Sequence, residues 1–267
     1  MPHFICVTCG SQFAESREPP PRCPICEDER QYVGRDGQQW TTLDELRRDH
    51  RAEIREEAPG LVGLGCEPSF AIGQRALLVP APGGNVLWDC ISLLDDELGA
   101  RVEELGGIAA IAISHPHYYS SMVEWARAFD APIHLHAADR EWVMRPDERI
   151  DFWDGETRGL GEGLTLLRLG GHFAGGTVLH WAARDALLSG DIVQVVQDRR
   201  WVSFMYSYPN LIPLPGATVL EMARRLEPWA FSTLYGAWWG TVIRADASAI
   251  VQRSARRYAS ALEGKLP

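Results

Sequence analysis

The chain has 267 residues, 46% hydrophobic and 23% charged, with a formal net charge of −10 at pH 7. Such a composition buries a large core and excludes disordered and fibrous architectures. The acidic balance, with no basic tract, argues against a binder of nucleic-acid backbones. Apolar runs such as residues 108–113 are far shorter than the ~20 residues needed to span a membrane. Residues 1–9 have neither the basic nor the apolar region of a secretory signal. The expected setting is therefore cytoplasmic and reducing, with no nucleic-acid or membrane partner. Of 26 basic residues only Lys265 is a lysine. This removes lysine Schiff-base chemistry and the Gly-Lys-Ser/Thr phosphate loop. No Gly-x-Ser-x-Gly elbow is present, which leaves cysteines, histidines and carboxylates to carry any chemistry.

The first such group is N-terminal. Cys6-x2-Cys9 and Cys23-x2-Cys26 are two pairs separated by 13 residues. In a reducing compartment this spacing reads as metal ligation rather than as disulfides, because each Cys-x2-Cys turn aims two sulfurs at one tetrahedral ion. Gly10 and Pro24 suit the tight turns required. Residues 1–34 are thus expected to form a zinc-ribbon or rubredoxin-like module. So short a segment cannot hold a sufficient core, and the ion supplies its folding energy. Zinc and iron both fit four thiolates. The role is structural or that of a docking site for a protein partner. Cys66 and Cys90, in apolar surroundings, read as core residues.

Residues 35–60 are expected to be a linker helix. Thr42-Leu43-Asp44-Glu45 is a capping box, and Pro59-Gly60 ends the segment. From residue 61 onward, strands are expected at 70–72, 76–79 and 86–89, a helix at 92–105, and a buried strand at 108–114. Next come a helix at 120–129, a strand at 132–136 and a short helix at 139–144. Strands at 164–169, 178–181, 186–188 and 231–234 follow, with closing helices at 217–226 and 244–262. In the last helix Ala247, Ile250, Val251, Ser254, Tyr258 and Leu262 share a face. The mixture implies a layered body of sheets covered by helices.

The strand at 108–114 runs straight into His115-Pro116-His117. Two histidines at i and i+2 leaving a strand can present both rings to one ion. His172 follows a later strand through Gly170-Gly171, and Asp191 closes Ser189-Gly190-Asp191. These blocks, in this order and together with Gly171-His172-Phe173-Ala174-Gly175-Gly176-Thr177, carry a resemblance. Residues 61–267 resemble the metallo-β-lactamase-fold superfamily. The resemblance implies an α+β, αββα architecture: a sandwich of two sheets flanked by helices, here preceded by the small ribbon. It also implies zinc or iron at the sheet edge, and hydrolytic chemistry in most members.

The chain departs from that pattern. The family's first block ends in an Asp and a His that bind a second metal, and Tyr119 and Ser120 stand there instead. No histidine occurs in residues 235–240, where the family places another. A single three-histidine site therefore remains, with Asp191 as a fourth ligand or base. Tyr119 is expected either to hydrogen-bond an oxygen at the metal or to plug the lost second site. His134 and His136 alternate on a strand, and a contact of His136 with the ligands is weighed against a place in core or surface. His180 reads as packing, while His3 and His50 show no partner. Trp201, Phe204, Tyr206, Tyr208, Trp238 and Trp239 are candidate pocket residues, against the general expectation that aromatics are core.

Three histidines with an open fourth position suit a catalytic zinc. The leading expectation is a mononuclear zinc hydrolase of a small ester, thioester, lactone or amide. Two others stand beside it: a non-catalytic binding or scaffold protein of the same fold, and an iron-dependent oxidoreductase.

Overall fold

The computed structural model describes residues 1–161 and 163–265. Strands β1 (Phe4–Cys6) and β2 (Trp40–Thr42) pair antiparallel, and α1 (Pro24–Glu27) carries the second cysteine pair. Helix α2 (Leu43–Asp49) starts on the expected capping box, with Thr42 accepting from the Glu45 amide and the Glu45 carboxylate accepting from the Thr42 amide.

The helix is shorter than its charge pattern suggested. It stops at His50, and β3 (Arg51–Ala58) is an edge strand that pairs along its length with β4 (Leu61–Glu67). The second half of the expected linker helix is thus sheet. Ala52 and Ile54 alternate onto the core while Arg51 and Arg55 face solvent, until a bulge after Glu56 shifts the register. That pattern of two shields a sheet edge with charge.

β3 and β4 continue through β5 (Ala76–Val79), β6 (Val86–Trp88), β7 (Ala110–Ala112), β8 (Ile133–His136) and β9 (Ile150–Trp153) as one seven-stranded sheet, parallel from β6 to β9. Helices α3 (Asp96–Glu104) and α4 (Met122–Ala128) cover its outer face.

The second sheet has six strands: β10 (Thr157–Gly159), β11 (Leu164–Arg168), β12 (Thr177–Trp181), β13 (Ala186–Gly190) and two later strands. Between these lie two small hairpins, β14 (Gln194–Val195) with β15 (Val202–Ser203), and β16 (Met205–Ser207) with β17 (Ile212–Pro213). After α5 (Gly216–Leu226), β18 (Thr233–Gly236) and β19 (Val242–Ile243) complete the sheet, and α6 (Ala247–Leu262) closes the chain.

Alternation builds the layers. Leu77, Val79, Val86 and Trp88 of the first sheet meet Leu164, Leu166, Leu179 and Leu188 of the second in an inter-sheet core. Their neighbours Leu78 and Leu87 point outward to α3 and α4, and Leu187 and Val178 to α5 and α6. The result is the expected αββα sandwich. Because both faces of each sheet are covered, its central strands, such as β5 and β6, are apolar on both sides.

Local expectations changed in three places. Residues 70–72 form a turn with Ala71 at φ +52° rather than a strand. Residues 139–144 fall mostly in a 3₁₀ stretch, Ala137–Trp142. Leu262 ends α6 exposed, while Ala255 and Ala259 join the buried face. Among the described residues no helix is long and apolar enough to cross a membrane.

A buried ion pair joins β3 to the body. The Arg75 side chain is 0% exposed and its Nε lies 2.7 Å from Glu57 Oε1, itself 8% exposed. Glu57→Ala leaves a guanidinium buried without its carboxylate, a loss of ~3–5 kcal/mol. Urea denaturation reads it; a loss below ~1 kcal/mol marks the pair as solvated.

Candidate metal centres

Two donor clusters are present, one in the ribbon and one at the end of the sandwich. In the ribbon, Cys6 Sγ is 3.5 Å from Cys26 Sγ and Cys9 Sγ is 3.7 Å from Cys23 Sγ. All four sulfurs lie within 4.8 Å of one another, buried and unbonded. Tetrahedral bonds of ~2.3 Å place sulfurs ~3.8 Å apart, so the cage has the dimensions of a four-thiolate ion site. Gln38 Nε2 donates to Cys6 Sγ at 3.1 Å, a contact that the turn residues alone did not suggest.

The second cluster forms where loops from both sheets meet. His115 follows β7 in extended conformation, one 3₁₀ turn (Pro116–Tyr118) carries His117, and His172 lies between β11 and β12. The Thr177 amide donates to Ser114 O across the two sheets, and the Ser114 amide donates to Asp89 Oδ1 at 2.8 Å. These bonds bring the strand ends together.

One nitrogen from each of His115, His117 and His172 lies within 4.8 Å of the others. His117 Nδ1 and His172 Nε2 are 3.1 Å apart, against ~3.3 Å for nitrogens on a tetrahedral zinc. His172 Nδ1 donates to the Tyr206 carbonyl at 2.7 Å, which leaves Nε2 as the donor atom. Ser114 Oγ sits 3.0 Å from His115 Nδ1 in the same way.

Burial holds all three rings uncharged. His115 and His117 lie well below the usual imidazole range, and His172 is pushed down to about 4. A metal donor must be unprotonated, so these rings are already in the binding form at neutral pH. Four buried polar atoms here lack a close hydrogen-bond partner: His115 Nε2, His117 Nε2, the Tyr118 hydroxyl and Asp191 Oδ1. A cation held by the three rings would take up the first of them, His115 Nε2.

Asp191 Oδ1 lies 3.3 Å from His115 Nε2, yet its carboxylate stands outside the three-nitrogen cluster. Burial raises its carboxyl to about 7, and that of Asp89 equally. Gly190 must precede it. The residue has φ +55°, and a Cβ there would sit 2.7 Å from Ser114 Oγ.

Tyr119 is not at this site. It is buried against the ribbon contact, in a small cavity with Gln12, Trp142 and Arg145. Tyr118 takes the place expected of it. The Tyr118 ring lies 4.4 Å from that of His115, and burial first, then Asp191, holds the phenol well above its usual value. The backbone explains the exchange: the 3₁₀ turn and Ser120 at φ +46° direct side chain 119 away.

The remaining histidines serve elsewhere. His134 pairs with Asp151, His136 Nε2 meets Gly155 O, His180 Nε2 meets Ala230 O beside Trp229, and His3 Nδ1 meets Phe13 O. His50 packs edge-on to Phe70. Of the aromatic candidates, Tyr208 and Trp238 line the cavity at His117, His172 and Asp191. Phe204 is core, Trp201 lines a separate cleft, and Trp239 lies over Gly63 and Gly65.

The fold and this centre define a metallo-β-lactamase-fold protein. The chain is similar to metallo-β-lactamase FIM-1 from Pseudomonas aeruginosa in its mono-zinc form, with TM-score 0.56, 14% identity, and coverage of 78% of this chain and 96% of that one. It is similar to a metallo-β-lactamase from Hirschia baltica at TM-score 0.57 and 14% identity, covering 78% and 97%. VMB-1 gives 0.60 and 12%, covering 79% and 98%. No model of a known protein family matches the sequence. The chain is 53% identical over 272 residues to the uncharacterized protein YmaE of Bacillus subtilis, across 100% of this chain and 99% of that protein, and it belongs to the same family as YmaE.

Metal analysis of the intact protein should find one ion per donor set. His117→Ala should lose one of them, and Cys9→Ser with Cys26→Ser the other. An ion content unchanged by His117→Ala would exclude the histidine centre.

Proposed function

We propose that the chain is a mononuclear zinc hydrolase of a small ester, thioester, lactone or amide. The observation that carries this reading is the set of three uncharged imidazoles, two of which, His117 and His172, line a cavity of about 250 Å³. Three protein ligands with a side left open mark a catalytic rather than a structural zinc site. The size favours a small substrate.

His115, His117 and His172 would hold the ion. A zinc ion there supplies Lewis-acid polarisation of a carbonyl and a nucleophilic water at neutral pH. The chain's own residues do the rest. Asp191 is placed to accept the proton released on attack, being the acid among the described residues that lines the cavity with His117 and His172. The Tyr208 hydroxyl donates to Asp191 O at 2.6 Å and fixes its backbone. The Tyr118 ring packs 4.4 Å from that of His115 with Asp191 beside its phenol, and a phenol there in place of further ligands supports one ion rather than two.

Zinc is favoured over iron at this centre because the donors are all imidazole, whereas ferrous oxygenase sites combine two histidines with a carboxylate. Zinc is also proposed for the thiolate cage; a red protein with visible charge-transfer bands would assign iron there instead.

Zinc-loaded protein should hydrolyse 4-nitrophenyl acetate, and Asp191→Asn should retain its zinc while losing ~10²–10⁴ in kcat. The sign of the pH dependence follows from the base having to be ionised. Asp191, at about 7 with no cation beside it, ionises lower next to one. kcat/KM should therefore rise with pH through a point below 7, and Asp191→Asn should lack that limb. Full zinc content with no turnover of esters, thioesters, lactones or amides would favour a ligand-binding protein of the same fold.

A further inference from the structure

Strand β3 is an edge of the seven-stranded sheet, and among the described residues only β4 pairs with it. Its other side offers the backbone groups of an eight-residue strand, a template on which a further strand can be added. The side chains decide which strand fits. Glu53 and Arg55 share one face, where their neighbours on β4 are Gly65 and Gly63 and bring no charge. Ala52 and the half-buried Ile54 share the other face, beside a cleft of about 530 Å³ that α3 lines with Glu97, Leu98 and Arg101.

Charges on an open edge deter most strands, but these match in one register. Two copies of β3 laid antiparallel about a two-fold axis through Ile54 set Glu53 opposite Arg55 of the second copy, and Arg55 opposite its Glu53. Ile54 then meets its own counterpart on the α3 face. An axis moved to Glu53 sets that carboxylate against itself, and one moved to Arg55 sets two guanidinium groups together. An axis between residues turns the second copy's α3 to the opposite face of the joined sheet. We propose that the chain forms a two-fold dimer by pairing β3 with β3 of a second copy, which joins the two seven-stranded sheets into one. The edge is complementary to itself, and the pairing is independent of any chemistry at the histidine centre.

Sedimentation velocity of the zinc-loaded full chain tests it. The wild type should sediment as a dimer at micromolar concentration. Arg55→Glu opposes two carboxylates across the axis and Glu53→Arg opposes two guanidinium groups, so each should weaken self-association on the order of 10-fold or more. Within one chain Arg55 also contacts Glu53 and lies 4.6 Å above the Trp239 ring, so the equimolar mixture of the two variants is decisive. In the mixed pair every charge across the axis faces its opposite, and a dimer should return although neither variant pairs with itself. Far-ultraviolet circular dichroism matching the wild type shows that both variants fold. A monomeric wild type would overturn the proposal whether or not the variants fold. So would a dimer that both swaps leave intact, or two folded variants that stay apart when mixed.

Discussion

The two sheets are joined at Ser114, and the histidine centre depends on that junction. Ser114 O accepts from the Thr177 amide of the second sheet, and its amide donates to Asp89 at the end of β6. These bonds bring the exit of β7, which carries His115 and His117, to the entry of β12, which His172 precedes. Imidazoles alone would not choose to meet in an apolar interior, since each brings a ring nitrogen that needs a partner. The backbone contacts set their distance, and His172 to Tyr206 and His115 to Ser114 set their orientation. The nitrogens left over converge as the donors to a single cation would.

The ribbon is bound into the same arrangement from the other side. Ile5 packs with Leu46 and Leu93, and the thiolate cage packs against Ile72, Trp142 and Met144 of the body. Gly10, at φ +80°, passes so close to the body that a Cβ would lie 2.7 Å from Ser92 Oγ. A module this small would draw its order from an ion in the cage, and Thr8, Arg30 and Gln31, next to the two cysteine turns, also line the cavity at His117 and His172.

What could be read from sequence was set by how local the cause is. Cys6-x2-Cys9 and Cys23-x2-Cys26 declare themselves because each pair is one turn long, and His115-Pro116-His117 because a strand exit holds both rings. His172 and Asp191 were singled out by short glycine-containing motifs, Gly171-His172-Phe173-Ala174-Gly175-Gly176-Thr177 and Ser189-Gly190-Asp191, whose meaning came from their order along the chain. The swap of Tyr119 for Tyr118 turns on a 3₁₀ turn and one positive φ, which no periodicity encodes. β3 was read as helix because Asp44, Glu45 and the following charges suit a helical first turn, while its pairing with β4 is a tertiary fact. Asp89 left a trace that could have been followed: a carboxylate ending the otherwise apolar run Val86-Leu87-Trp88 needs a buried donor. Arg30 left none, since apart from Asp28 the groups it meets, Trp142, Phe173 and the His172 carbonyl, are more than a hundred residues away.

The loss of the second metal's ligands also changes the meaning of the acids that remain. Asp89 and Asp191 are both buried, and both carboxyls are raised to about 7 by that burial. Two cations beside them would hold both ionised and tie them up as ligands or counter-charges. On the mononuclear reading proposed above, Asp89 would be left to its structural bond with Ser114, and Asp191, 3.3 Å from His115 Nε2, would lie beside the ion, whose charge lowers its carboxyl from the value that burial sets. The tyrosine and serine at 119 and 120 would then remove one metal while leaving a carboxylate beside the histidines able to take a proton.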